Sequence, residues 1–347
     1  MRAVRKERPE PGAVLSRLPV PEPGPGEVRV RVAAASVCGT DVSVWHWNEW
    51  AARRVRPPLT LGHECAGTVE AVGAGVDPRR VGERVAVETH VVCGRCLACR
   101  TGDGHACANV RILGLDRDGA FADRLVVPAT NAWPVPDGVP WHVAALLESF
   151  GNAVHTALAQ PLTARTVLIT GAGPTGLGAA AVARAAGAAS VVVVESSPER
   201  RALALRMGAD AALAPDEADA GAVRAAAGEA SGVDVALEMS GSPDALRLCL
   251  AAVRSAGRVA VLGLAPTAAA VDWAEGVVMR GVAVQGVTGR RLWQTWLDAT
   301  RLVARGLVDL SPLVTHRFPL EEVERAIETA AGGHAGKVLV EIGGGSP

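Results

Sequence analysis

The sequence predicts an α/β fold in two parts: a bent β-rich domain, and a doubly wound parallel sheet inserted toward its C-terminal side. Three observations predict it. The first 150 residues are rich in Val, Gly and Pro, with short alternating runs such as EVRVRVAAASV and GTVEAVGAGV, the pattern of half-buried strands. Residues 151–290 alternate apolar strands (VVVVE, DVALEMSG, RVAVLGL, VAVQGV) with Ala-rich helical stretches, as a parallel sheet with crossover helices requires. From 291 a Trp-bearing helical stretch, LWQTWLDATRLVARGL, leads through a Pro-bounded segment to a last strand, GKVLVEIG. That end is expected to rejoin the first domain and leave the functional site in the cleft between the two. The expected boundaries are 1–150 with 291–347, and 151–290.

Length and composition bound the function. A chain of 347 residues can bury two cores. With 49% hydrophobic residues and a net charge of −1, it reads neither as disordered nor as a nucleic-acid surface. The longest uncharged stretch, 166–183, contains a Gly-rich turn and does not read as a membrane span. The N-terminus, MRAVRKERPEPG, lacks the apolar core of a secretory signal, and seven cysteines suit a reducing compartment, so a cytoplasmic location is expected. The lysines are Lys6 and Lys337, against 33 arginines, which reads as base-composition bias rather than a basic patch.

The segment CGRCLACRTGDGHAC places Cys93, Cys96, Cys99 and Cys107 at a C-x2-C-x2-C-x7-C spacing. Two-residue gaps let a tight loop fold three thiolates around one ion, and the longer gap brings in the fourth. Gly94, Gly102 and Gly104 give the backbone the freedom this needs. Four thiolates form a closed tetrahedral zinc site with no open position, hence a structural one. A disulfide cluster would need an oxidising compartment.

A second set lies upstream. Cys38 in SVCGTD, then His63 and Glu64 in LGHECAG 25 residues later, offer one S, one N and one O ligand. A catalytic zinc takes three such ligands and keeps the fourth position open. Glu148, in LLESFGNAVHT, reads either as a further ligand or as a carboxylate beside the metal. Singly, a lone Cys is more often a buried hydrophobe and a lone Glu a solvated charge.

The strand TVLIT (166–170) runs into Gly171-Ala172-Gly173-Pro174-Thr175-Gly176 and then an Ala-rich helical stretch. Gly171 permits the tight turn, Gly173 lets a pyrophosphate approach, and Gly176 allows close helix packing, so the segment predicts a dinucleotide site. Glu195 ends the next strand, 19 residues after Gly176, where a carboxylate accepts hydrogen bonds from a ribose diol and favours NAD over NADP. Arg200 either stacks on the adenine or is a solvated helix residue.

Together these motifs resemble the zinc-dependent medium-chain dehydrogenase/reductases along essentially the whole chain. Within them, VCGTDVSVWHWNEW, VETHVVCGRCLACR, LESFGNAVHTAL, LEMSGSPDAL and GVTGRRLWQTW resemble the L-threonine 3-dehydrogenases. The resemblance implies a GroES-like β domain joined to a Rossmann domain, two zinc ions per chain, NAD as cofactor and a homotetramer acting on a small-molecule alcohol. It implies that Cys38, His63 and Glu64 hold the catalytic zinc. Glu148 then acts in ligand exchange or proton relay, Thr40 lies in the proton path, and His90 lies close to the substrate. Thr175, Glu195, Arg200, Leu262, Gly263, Leu264, Val287 and Thr288 match positions lining NAD. The reaction implied is oxidation of a secondary alcohol, L-threonine giving L-2-amino-3-oxobutanoate. One residue departs from the pattern: where the family carries Cys-Gly-Thr-Asp-Val-His, this chain has Ser43 in place of the His. A hydroxyl passes a proton but does not titrate near neutrality. Either the proton leaves through water or His90, or the substrate differs, or the step is dispensable. His46 is a nearby substitute or a surface residue among Trp45, Trp47 and Trp50.

Overall fold

The computed structural model describes residues 1–343, which group into two compact units. The first unit comprises Met1–Glu148, Arg291–Ala304 and the chain from Val314 onward. Its main sheet runs Ala132–Pro134, Arg84–Val87, Glu64–Val72, Glu27–Ser36, Lys337–Glu341, Val314–Pro319, with Arg124–Pro128 also paired to Glu27–Ser36. The expected alternation is present in Glu27–Ser36, where Val28, Val30 and Val32 are buried and Arg31 faces out. Register shifts against Glu64–Val72 after Arg29 and after Val32 supply the bend. Leu320, Ile327, Val338 and Val340, from the far end of the chain, share one core cluster with Val28, Val30, Val69 and Val85. The last strand is stitched to the early one through Leu339 opposite Ser36, and Ser36 in turn lies opposite Glu64.

The helix Gln294–Ala304 also belongs to this unit, burying Thr295, Trp296 and Ala299. Trp133 Nε1 donates to Thr300 Oγ1 at 2.9 Å, and its ring stacks on Trp293 at 6.1 Å with planes 10° apart.

The second unit, Ser149–Arg290 with Arg305–Leu313, is a parallel sheet ordered Ala211–Leu213, Ser190–Val194, Thr166–Thr170, Val233–Glu238, Val253–Val261, Ala283–Gly286. The order reverses beside Thr166–Thr170, the first strand of the unit, which makes a doubly wound sheet with a switch point at that strand's C-terminal end. Leu168, Val192, Ala236 and Val259 form its buried centre. Sequence reasoning assigns all of 291–347 to the first domain; the structure groups Arg305–Leu313 with the second unit. There Leu310 and Leu313 are buried, and Ser311–Leu313 packs against the helix Pro198–Arg206. Among the described residues no helix is long and apolar enough to cross a membrane.

Candidate active site and metal centres

The four cysteines of the 93–107 segment converge, with all four Sγ atoms within 4.8 Å of one another. Cys96–Cys99 and Cys93–Cys107 are 3.5 Å apart and Cys96–Cys107 is 3.8 Å. A tetrahedron with Zn–S bonds of about 2.3 Å has edges of about 3.8 Å, so the spacing fits zinc. A disulfide needs about 2.05 Å, and all seven cysteines are free. Backbone amides point at the sulfurs: Cys93 N–H and Asn109 N–H both donate to Cys107 Sγ at 3.4 Å. The amides of Arg95 and Cys96 draw the Cys93 thiol down to about 6, and those of Cys99 and Ala108 lower Cys96. Desolvation and the neighbouring sulfurs push Cys99 up to about 12, because without a cation four thiolates cannot all ionise. Gly94 and Gly102 adopt φ of +69° and +92°, which the tight loop demands.

The second set also assembles. Cys38 Sγ, a His63 ring nitrogen and a Glu64 carboxylate oxygen lie within 4.8 Å of one another. Cys38 is the N-cap of the helix Gly39–Trp45, His63 lies just before the strand Glu64–Val72, and Glu64 opens it. Asp41, buried at the third helical position, ties the two together. One of its oxygens accepts from Cys38 N–H at 2.9 Å, and the other lies 3.3 Å from His63 Nδ1. Glu64 is fully buried, and its Oε2 accepts from Ser36 Oγ and from Lys337 Nζ. The register described above makes this possible, since Ser36 faces Glu64 and the Lys337 strand lies alongside. Glu64 Oε1 is buried with no hydrogen-bond partner among the described residues. A buried, unpartnered carboxylate oxygen is costly, and a cation beside it removes the cost. The donor set therefore fits a zinc ion with mixed ligands.

Titration directions agree with a pocket made for positive charge. Burial opposes a charge on His63, but Asp41 and Cys38 outweigh it and raise its pKa well above the ordinary imidazole value. Burial and the nearby Glu148 raise Glu64 against the pull of Lys337 and His63. Glu148 is buried near Glu64 but outside the three-residue set. Thr40 and Ser43 lie half-buried on the helix that Cys38 caps. His46 is exposed at that helix's end, 3.7 Å from Glu328, so it reads as a surface residue. His90 sits on the short strand His90–Val91, its Nδ1 2.8 Å from Glu88 Oε1.

In the second unit the Gly-rich turn has the required shape. Gly171 has φ of +87°, and a Cβ there would sit 2.8 Å from the Ser240 side chain. A Cβ on Gly176 would sit 1.9 Å from the Gly171 carbonyl oxygen, so the helix packs against the turn only without one. At Gly173, the N-cap of the helix Pro174–Ala185, a Cβ would meet nothing within 4 Å, leaving open space over the free amides of the helix start. Thr175 is half-buried in the first turn of that helix. Glu195 accepts from Ala172 N–H at 2.6 Å through one oxygen and from Ser197 N–H at 2.9 Å through the other, so it also fixes the turn. Arg200 is half-buried, with its N–H on Ser197 Oγ. Leu262 and Gly263 follow strand Val253–Val261 and bond through their amides to Glu238 O, while Leu264 is 93% exposed. Val287 is buried, its N–H on Val261 O, and Thr288 is exposed.

Sequence reasoning missed Asp41, Ser36 and Lys337. Asp41 carried a signal, an acid three residues after the Cys38 cap. Lys337 carried another, as one lysine of two in an arginine-rich chain.

Comparison with known proteins agrees with this geometry. The alcohol dehydrogenase GroES-like domain family matches residues 24–137, and the zinc-binding dehydrogenase family matches residues 174–305. The chain is 47% identical over 341 residues to an L-threonine 3-dehydrogenase of Symbiobacterium thermophilum, covering 98% of this chain and 97% of that one. It is 47% identical over 340 residues to an L-threonine 3-dehydrogenase of Pyrococcus furiosus, covering 98% of each. Among solved structures it is similar to a short chain alcohol dehydrogenase from Escherichia coli CFT073 complexed with NADH. The TM-score is 0.90 at 29% identity, covering 98% of this chain and 99% of that one. A mixed-ligand metal set, a four-cysteine lobe, a doubly wound sheet and full-length relatives converge on one conclusion: the chain belongs to the zinc-dependent medium-chain dehydrogenase/reductases, among the relatives of L-threonine 3-dehydrogenase.

Proposed function

We propose that this protein oxidises L-threonine at its secondary hydroxyl to L-2-amino-3-oxobutanoate, with NAD+ as hydride acceptor. The observation that carries the reading is the Cys38–His63–Glu64 set within 4.8 Å, with a buried carboxylate oxygen left without a hydrogen-bond partner. A zinc ion held by these residues supplies Lewis acidity that makes the substrate hydroxyl easier to deprotonate, and NAD+ supplies the hydride acceptor. Thr40 Oγ1 takes the hydroxyl proton as it gives its own to Ser43 Oγ, three positions along the same helix and hence on the same face, and Ser43 in turn releases its own proton to solvent water. Asp41 orients His63, and Lys337 with Ser36 holds one Glu64 oxygen so that the other faces the ion. Glu148 supplies a second carboxylate for ligand exchange or proton relay. Cys93, Cys96, Cys99 and Cys107 hold a second, structural zinc. The helix start at Gly173 and Thr175 holds the pyrophosphate, and Glu195 takes the ribose diol and disfavours a 2′-phosphate. Arg200, Leu262 to Leu264, Val287 and Thr288 line the rest of that site.

The protein works as a homotetramer in the cytoplasm. The edge strand Ala283–Gly286 is exposed along its length, and Trp273, Val278 and Met279 stand exposed on the same unit, a surface suited to a second copy. Ser43 favours an alternative substrate, another amino alcohol or a polyol, because it replaces the family's imidazole. NADH formation across L-threonine, other amino alcohols and polyols tests the assignment. L-threonine is expected to give the highest kcat/KM, with two zinc ions per chain and a tetramer by light scattering. No turnover of L-threonine by zinc-loaded protein would refute it.

A further inference from the structure

Glu88 is an acid that the mechanism above does not use. It is fully buried just after the strand Arg84–Val87, and its backbone is pinned on both sides. Its N–H donates to Asn131 O at 2.8 Å, and Asn131 Nδ2 donates to the carbonyls of Glu88 at 2.8 Å and His90 at 3.0 Å. Three donors meet its carboxylate. His90 N–H reaches Oε1 at 2.6 Å and His90 Nδ1 reaches the same oxygen at 2.8 Å, while Trp296 Nε1 donates to Oε2 at 2.5 Å. Trp296 is itself fully buried, and its indole lies 6.1 Å from that of Trp133.

The chemistry of this cluster is directional. A carboxylate that receives three N–H groups acts only as an acceptor, so the shared proton belongs on His90 Nδ1. The lone pair of the ring then sits on Nε2. Which nitrogen of a histidine carries the proton is set by the partner of the other one. The 16% of the His90 side chain that stays accessible is therefore presented in one defined tautomer.

We propose that Glu88 is a positioning residue that fixes His90 as the Nδ1–H tautomer, so that Nε2 accepts a hydrogen bond from the substrate's ammonium group. Trp296, on the helix that follows the dinucleotide-binding unit in sequence, holds Glu88 in place. This deepens the function proposed above and rests on the reading of His90 as substrate-facing.

Glu88→Leu tests it while keeping the approximate volume. A Gln would keep its one oxygen toward the two His90 donors and so preserve the tautomer, whereas Leu offers no acceptor at all. With nothing to hold the proton on Nδ1, the ring proton is free to move to Nε2. The expected result is a loss of about 10-fold or more in kcat/KM for the amino alcohol, the lower end of what partners orienting metal-bound histidines carry, with KM for NAD+ and zinc content unchanged. His90→Ala added to Glu88→Leu is expected to cost nothing more. Trp296→Phe is expected to cost less than Glu88→Leu. Nitrogen-15 spectra of the histidine rings read the tautomer without turnover: the His90 proton on Nδ1 in the unmutated protein and on Nε2 in the variant supports the proposal. The same tautomer in both, or a variant that melts earlier but keeps kcat/KM, overturns it. If the unmutated protein turns over no amino alcohol, the functional reading fails, and the ring spectra still decide the role of Glu88.

Discussion

The two candidate metal sites of the first unit are built on opposite plans. The four-cysteine lobe takes its ligands from 15 consecutive residues, Cys93 to Cys107, and its own amides tune the sulfurs. The Cys38–His63–Glu64 set draws on a helix cap and a strand start, and depends on Asp41, Ser36 and Lys337 to hold it. A contiguous loop can close around an ion by itself, which suits a structural role. A dispersed set leaves a position open because the framework, and not the metal, keeps the ligands apart. Stability should therefore follow the lobe, and activity the dispersed set.

The largest expected effect is the paired test of that division. Cys38→Ala should lower kcat by at least about 10^3-fold, since Lewis-acid polarisation supplies several kcal/mol. The fold and one zinc per chain should remain. Cys99→Ala should instead unfold the lobe and lower the melting temperature, because binding of structural zinc is part of folding free energy. Metal analysis and thermal melts on the two variants check this. A single zinc per chain in fully active protein would break the comparison at once.

Lys337→Met addresses what the dispersed set needs from its surroundings. It leaves the Glu64 carboxylate buried with Ser36 alone on Oε2, and breaking a buried ion pair from one side costs about 3–5 kcal/mol. Urea unfolding should show that cost in zinc-free protein and a smaller one with zinc bound, since the ion then balances the carboxylate. Equal losses in both states would mean that Lys337 supports the strand pairing and not the metal set.

A smaller effect is expected in the second unit. Glu195→Ala removes the ribose acceptor and also frees Ala172 N–H and Ser197 N–H. NAD+ use should fall, and the preference over NADP+ should narrow about tenfold, or about 1.4 kcal/mol. Steady-state kinetics with both cofactors decide it, and an unchanged ratio would leave Glu195 with the turn alone.

How much of this was legible in the sequence follows the same contrast. The lobe could be read from spacing alone, because its geometry is local. The Gly171–Gly176 turn could be read because a Cβ at Gly171 or Gly176 collides with the turn's own surroundings. The members of the dispersed set were legible as candidate ligand types with family context, and the structure brings them within 4.8 Å of one another. Their supports were not, since Ser36 meets Glu64 by strand register and Lys337 arrives about 270 residues later by sheet order. Glu88 and Trp296 both lie in segments that carry the family resemblance, but they are 208 residues apart and nothing in the sequence pairs them. The segment Arg305–Leu313 has no periodic pattern, so the sequence places it with its neighbours, while the structure groups it with the second unit. Only the burial of Leu310 and Leu313 reveals where it packs.

Ser43 offers the finest test, because it asks whether the dispersed set needs a titrating relay at all. Its hydroxyl sits half-buried on the helix that carries Thr40, and the family's imidazole at this place would add a proton acceptor with an ordinary pKa of about 6.5. In Ser43→His the imidazole accepts protons only while neutral. Any gain in rate should therefore be present above that pKa and disappear below it. The expected result is a rise of a few-fold in kcat near neutral pH, below the about 10^2-fold of full general-base catalysis because Thr40 and water already carry the proton. The acid limb of the kcat profile should then inflect near 6.5. If both rate and profile stay unchanged while L-threonine is oxidised well, the relay position is dispensable here. If L-threonine is a poor substrate for both proteins and another alcohol is a good one, Ser43 marks the change of substrate, and the metal set works without an imidazole partner.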